Sequence, residues 1–153
     1  MQHAGVVCGI GGVAAHAHTG LTADEPGYAA RALFAQEMSC VTAACLLIRS
    51  DVYRAVGGLD EKHLCVAFND VDLCLKVRAA GLKVVFTPEF LADHHESLSR
   101  GDDEENPMKE GRFFVEMQIM IERWGSVLKS DPYYSPKFSL DGRPFIDLVQ
   151  VAG

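Results

Sequence analysis

Hydrophobic positions along this chain of 153 residues fall into short blocks with different spacings, and the blocks predict its elements. Residues 1–20 are rich in Gly, Ala and His, have no clean period, and read as strand or loop material with close backbone approaches. Asp24, Pro26 and Gly27 signal a turn, and residues 28–38 (YAARALFAQEM) read as a short helix with Leu33, Phe34 and Met38 on one stripe. Residues 41–48 (VTAACLLI) form an apolar run between Ser39 and Ser50, the signature of a buried strand. Ser50 is placed to cap a short helix that ends at Gly57 or Gly58. Residues 68–80 (FNDVDLCLKVRAA) predict the clearest helix, with Asn69 as its cap and Gly81 as its stop. Residues 83–87 (KVVFT) predict a strand halted by Pro88, residues 90–97 an extended segment, and residues 100–106 a loop. Residues 107–124 predict a long helix with Pro107 in its first turn. Phe113, Met117, Met120 and Trp124 lie on one face of it, widened by Phe114 and Ile121. The alternation of strands and helices argues for the α/β class and a single domain. Residues 131–153, with Pro132, Pro136 and Pro144, read as an extended tail over the surface.

Composition narrows the partners. Hydrophobic residues at 48% and charged residues at 23% suit a globular chain with a sizeable core. Fourteen Lys and Arg stand against twenty-one Asp and Glu, a net charge of −7, and no basic run interrupts the sequence. Nucleic acid is therefore not expected as a partner, because phosphate binding needs a basic face. Five cysteines without C-x-x-C spacing imply small buried thiols of a cytoplasmic protein rather than a disulfide framework.

Candidate chemistry sits at three places. Asp70 and Asp72 open the 68–80 helix, where free N–H groups and the helix dipole stabilise negative charge. They also spell D-x-D, but side chains two apart on a helix diverge by ~200°, so joint capture of one cation is not expected. His94-His95 follows a strand, and adjacent residues of an extended chain point to opposite sides, so at most one imidazole enters a given site. His16 and His18 share a face if extended, which suits a metal but supplies only two ligands. Gly9-Ile10-Gly11-Gly12 resembles part of a phosphate loop. It is read without a strand before it or a helix after it, which leaves backbone packing as its expected role.

The order of motifs adds to this. The series runs from residues 41–49 (VTAACLLIR) and 52–61 (VYRAVGGLDE) to residues 68–75 (FNDVDLCL) and Ala80-Gly81. It continues through residues 84–88 (VVFTP), His94-His95-Glu96-Ser97 and Ser99-Arg100-Gly101. It resembles the C-terminal, acceptor-side half of family-two glycosyltransferases of the GT-A fold, of the bacterial surface-polysaccharide (rhamnan or O-antigen) type. The resemblance covers about residues 3–145, and the Asp131-Pro132-Tyr133-Tyr134 segment also looks like that subgroup. It implies a partial GT-A fold: a short mixed sheet with flanking helices, the N-terminal nucleotide-binding half being absent. It further implies Asp70 as the general base of an inverting transfer, although the family more often has Glu where Asn69 stands. By the same resemblance Asp72 is a structural or acceptor-orienting acid, and Gly57, Gly58, Asp60 and Glu61 belong to the acceptor loop. His94, with His95 as the alternative, matches a ligand of a divalent cation, Mn or Mg. Arg100 is added as a stabiliser of the leaving diphosphate.

The implied partners are a nucleotide-sugar donor and a glycan or lipid-linked acceptor, met in the cytoplasm or at the inner face of the membrane. The chain is expected to be a fragment that is inactive alone, holds no metal tightly, and self-associates through a surface left by truncation. Two alternatives remain open: a non-catalytic carbohydrate- or protein-binding module, and a metal-dependent hydrolase using His16, His18, His94 and Asp70.

Overall fold

The computed structural model describes residues 3–92 and 107–149, and the side chains of all of these except residues 107–109. Strands β1 (Val6–Cys8) and β2 (Ala14–His16) form an antiparallel hairpin in the register Val6↔His16, Val7↔Ala15, Cys8↔Ala14. The connecting loop turns at Gly9 (φ +93°), where a Cβ would fall 2.2 Å from the Leu128 carbonyl oxygen. That contact bears out backbone packing as the role of this glycine. A strand does precede the Gly9–Gly12 motif, contrary to expectation, but β2 and not a helix follows it.

The second antiparallel pair joins β3 (Gln36–Met38) to β4 (Val84–Phe86), with Met38 opposite Val84. An N–H of Val6 donates to the Cys40 carbonyl at 2.9 Å and ties the two pairs together. The chain is thus α/β with small antiparallel sheets; a mixed sheet is not found among the described residues.

Among the described residues three α-helices complete the architecture: α1 (Ser50–Ala55), α2 (Asn69–Ala79) and α3 (Pro107–Leu128). Val71, Leu73, Cys74, Leu75 and Val77 of α2 are all buried. A helix enclosed nearly all round needs no apolar stripe, which is why its periodicity is weak. It ends in a Schellman motif: Gly81 (φ +78°) donates to Arg78 O at 2.9 Å and Leu82 to Val77 O at 3.2 Å.

β-Strand alternation sends Val6 and Cys8 into one core and Val7 into another. The first core lies between the hairpin, α2, β4 and α3, with Leu64 and Met120 at its centre. The second lies on the hairpin's other face, where Tyr134, Phe138 and Phe145 of the tail cover Val7, Ile10 and Ala17. The described part of the tail therefore supplies an aromatic core.

Asp131 fastens this tail. Its Oδ2 accepts the Cys8 N–H at 2.8 Å, and its Oδ1 accepts the Ser39 hydroxyl at 2.7 Å and the Tyr133 N–H at 2.8 Å. Arg78 donates to the same Ser39 oxygen at 2.6 Å and lies over the Tyr133 ring. Asp131→Ala strands two buried donors, so it is expected to cost about 2 kcal/mol in urea unfolding. Ser39→Ala is expected to cost less.

Several sequence expectations are corrected. Residues 28–38 are not a helix: Ala29 and Ala30 take positive φ, and residues 36–38 pair with β4. An eleven-residue helix is marginal alone. Here Tyr28 packs on Phe138 and Phe145, and Met38 reaches Gly5, so tertiary contacts override propensity. Residues 41–48 are not a buried strand. They hold a short 3-10 turn at Ala43–Cys45, and Leu47 is fully exposed.

On α3, Met120 is buried while Phe113, Phe114 and Ile121 are exposed, so the inward face is rotated toward Glu116, Met120 and Leu128. Cys8, Cys40 and Cys74 are buried free thiols, but Cys45 and Cys65 are exposed. Among the described residues no helix is long and apolar enough to cross a membrane.

Candidate active site

Asp70 stands in the first turn of α2, half-buried. Its Oδ1 accepts the adjacent Val71 N–H at 2.8 Å, and its Oδ2 accepts the Ala43 N–H at 3.1 Å. This second bond explains the turn at residues 43–45, because a carboxylate and the Thr42 hydroxyl satisfy N–H groups that a strand would have paired. The expected Asn69 cap is displaced by one residue. Phe68 holds the cap position in the left-handed region, without a side-chain cap bond. The incoming loop is held instead by Glu116 of α3, whose buried carboxylate accepts the Val66 and Ala67 N–H groups at 3.3 and 2.5 Å.

The His3 imidazole feels the Asp70 charge. His16, opposite Val6 on β2, packs on His3 with ring centroids 5.2 Å apart. His3 Nδ1 accepts the Gly5 N–H at 3.0 Å. Burial first and then the neighbouring His16 lower the His3 pKa to about 4, with the Asp70 carboxylate partly opposing both. His18 goes elsewhere: φ +60° turns it out of the strand, and its ring stacks on Phe145 at 5.0 Å. The His16/His18 pair is therefore split between the two faces of the hairpin. Among the described residues no group of three or more His, Cys, Asp or Glu could hold a metal ion. His94, His95 and Arg100 lie outside the described residues.

Asp72 lies inside the protein, at 0% exposure. Its Oδ1 accepts Arg123 Nη1 at 2.7 Å and Trp124 Nε1 at 2.8 Å, and Lys76 Nζ sits 2.8 Å from its Oδ2. Burial pushes its pKa up, but Lys76, Trp124 and Arg123 outweigh burial and hold it below the ordinary value. Asp72 is thus an enclosed tether between elements. Arg123 reaches on to Asp60 Oδ2 at 2.8 Å, and Lys76 donates to Gly58 O at 2.9 Å. Both ends of the Gly57–Asp60 loop segment are thereby bound to α2 and α3.

Asp60 also accepts the His63 and Lys62 N–H groups. Its pKa is held far below the usual carboxylate range, chiefly by Arg123 and then, against the opposition of burial, by His63. Gly58 (φ +62°) is required by the Tyr53 ring, 2.9 Å from where its Cβ would sit. Gly57 (φ +82°) meets nothing within 4 Å, and Glu61 is exposed. Of the loop residues, Gly57 and Glu61 are therefore the open ones.

Sequence reasoning missed His3, Arg123, Trp124, Glu116 and Asp131. Lys76 was legible as the i+4 partner of Asp72. Spacings of 51 and 52 residues to Arg123 and Trp124 carry no such signal. An open cleft of ≈850 Å³ lies along the tail and is lined by Asp131, Tyr134, Phe138 and Asp147, among others. Asp70 is not part of that lining.

Comparison with known proteins places the chain. It is 49% identical over 146 residues to an uncharacterized protein, y4gI, of Sinorhizobium fredii, covering 95% of this chain and 16% of that protein. It is 34% identical over 144 residues to the O-antigen biosynthesis protein RfbC of Myxococcus xanthus, covering 92% of this chain and 11% of RfbC. Over 63 residues it is 35% identical to the N-acetylglucosaminyl-diphospho-decaprenol L-rhamnosyltransferase of Mycobacterium tuberculosis, covering 41% of this chain and 20% of that enzyme. The chain thus spans a fifth or less of the length of these curated relatives. No family model and no solved structure matches it. The relationship is glycosyltransferase-like.

Proposed function

We propose that this chain is the acceptor-side half of an inverting, divalent-metal-dependent glycosyltransferase of the GT-A fold, with Asp70 as its general base. The observation that carries this reading is the Asp70 carboxylate itself. It is half-buried, fixed by two N–H groups at the start of a rigid helix, and flanked by a loop that a buried ion network ties down. Similarity to RfbC over 92% of the chain supports it.

In the proposed reaction the acceptor hydroxyl gives its proton to Asp70 as its oxygen bonds to the anomeric carbon of the donor sugar. The bond from that carbon to the diphosphate oxygen breaks on the opposite face, and the electron pair leaves with the nucleoside diphosphate. Attack from one face and departure from the other inverts the configuration. Asp70 supplies proton removal, and Gly57, Gly58, Asp60 and Glu61 shape the acceptor site, with Asp72 positioning them from inside.

A bound Mn or Mg ion would neutralise charge on the diphosphate. The described residues do not form a site for it by themselves. His94, or His95, is proposed as one of its ligands and Arg100 as a second positive group at the diphosphate. The donor would be a nucleotide sugar and the acceptor a glycan or a lipid-linked sugar.

Sugar transfer requires the nucleotide-binding half as well. The 153-residue chain assayed with radiolabelled nucleotide sugar and purified acceptor is expected to give no transfer, and the same residues within a chain that includes that half are expected to transfer. Robust turnover by the 153 residues alone would overturn the assignment of this chain to the acceptor side.

A further inference from the structure

A further opening, of ≈450 Å³, lies where the tail meets residues 28–31, and Asp70 does not line it. Its size is that of a small-ligand pocket, about 300–1,000 Å³. Tyr28, Arg31, Tyr133 and Phe145 are among its walls. The guanidinium carbon of Arg31 lies 5.1 Å from the Phe145 ring centroid. Arg31 Nη2 donates to Met38 Sδ at 3.3 Å, a weak acceptor, and its buried Nε has no hydrogen-bond partner. Among the described residues no ion pair includes Arg31. A partly buried guanidinium is ordinarily matched by an acid. The acids close by are committed elsewhere: Asp131 to Cys8, Ser39 and Tyr133, and Glu37 to Lys83 and the Tyr133 hydroxyl.

The other walls narrow the ligand. Phe145 is held at φ +62°, a strained conformation for a bulky residue, and Tyr28 stacks on its ring at 5.5 Å. Tyr28 is 47% exposed, and among the described residues no hydrogen bond occupies its hydroxyl. His18 stacks on the same ring at 5.0 Å, and burial, then Arg31, lower its pKa, so it is neutral near pH 7. Arg31 is thus the one cation among the lining residues. A single charge beside tyrosine rings suits a monoanion with an organic body better than a phosphate dianion.

We propose that this opening binds the carboxylate of an acidic sugar. The Arg31 guanidinium donates to the carboxylate, the Tyr28 hydroxyl bonds a sugar oxygen, and the sugar ring packs against the tyrosine walls. The carboxylate is assigned from the geometry, and the choice of a sugar as its carrier rests on the glycosyltransferase reading.

The test is an NMR titration of the 153-residue chain with sodium glucuronate, glucose, acetate and inorganic phosphate. Glucuronate is expected to bind about tenfold or more tighter than glucose, which lacks the charge-assisted bond, and tighter than acetate, which lacks the sugar. Arg31→Gln is expected to erase the preference over glucose, and Arg31→Lys to keep part of it. Tyr28→Phe, which keeps the ring, is expected to weaken glucuronate severalfold; if Arg31→Gln does not fold, this variant and the glucose comparison decide. Equal affinity for glucuronate and glucose, or unchanged glucuronate binding by Arg31→Gln, would overturn the proposal. Phosphate binding tighter than glucuronate would overturn the choice of a monoanion, and acetate matching glucuronate would overturn the choice of a sugar. No transfer is measured, so full activity of Asp70→Asn in the intact enzyme would remove the base assignment and leave this binding result standing.

Discussion

Asp70→Asn in the intact enzyme is expected to lower kcat by about 10²–10⁴-fold, the usual contribution of a positioned general base, while nucleotide-sugar binding is unchanged. Asn keeps the shape of the side chain and one oxygen that can accept either the Val71 or the Ala43 N–H. It loses the second of these bonds, a structural cost of about 1 kcal/mol, which is too small to unfold a domain of ordinary stability. What it cannot do is take a proton from a sugar hydroxyl, because the amide offers no basic site. The loss should therefore fall on kcat and not on donor affinity, since no donor contact is assigned to Asp70. Single-turnover transfer and calorimetric titration with the nucleotide sugar separate the two quantities. Transfer at the wild-type rate would show that the proton leaves by another route.

The sequence was informative where local chemistry decides the structure. Gly81 ends α2 because the Schellman turn needs positive φ, and Pro107 opens α3 because its missing N–H is not needed there. Asp70 was legible for a related reason, since an acid in a first turn is stabilised whatever surrounds it. Sequence reasoning failed where distant partners decide. Residues 28–38 hold good helix formers, yet Met38 pairs with Val84, 46 positions away, and Tyr28 is claimed by the tail aromatics. Residues 41–48 look like a buried strand because apolar runs usually are buried, but Asp70 and Thr42 bind the N–H groups that a neighbouring strand would need. His16 and His18 share a face only in an extended chain, and the positive φ of His18 divides them. The site follows the same division. Its proposed base, Asp70, could be found in the sequence, whereas the groups that hold the neighbouring loops come from α3, at separations no motif spans.

The largest stability effect is expected at Asp72. Asp72→Ala removes the carboxylate that joins Arg123, Trp124 and Lys76 in a site with no solvent exposure. Deleting one partner of a buried ion pair typically costs about 3–5 kcal/mol, because the remaining charges stay desolvated without compensation. Here the value should fall at the lower end. Arg123 keeps Asp60, Lys76 keeps the Gly58 carbonyl, and both side chains reach water, with 31% and 21% exposure. Asp72→Asn should cost less than Asp72→Ala, since its oxygen can still accept from Arg123 and Trp124, but its amide would face the Lys76 ammonium with donor against donor. A cycle combining Asp72→Ala with Arg123→Ala should show coupling of about 1 kcal/mol or more.

The pH dependence has a definite sign. The folded Asp72 pKa is depressed below its ordinary 3.8, so its contribution is present above that value and disappears as pH falls through the folded pKa. The gap between wild type and Asp72→Asn should therefore be constant near neutrality and close below about pH 3.8. Urea unfolding at a series of pH values measures both. A cost under about 1 kcal/mol for Asp72→Ala, the level of an exposed ion pair, would mean that the Gly57–Asp60 segment is not held by this carboxylate. Asp72 would then lose its place as the support of the proposed acceptor loop.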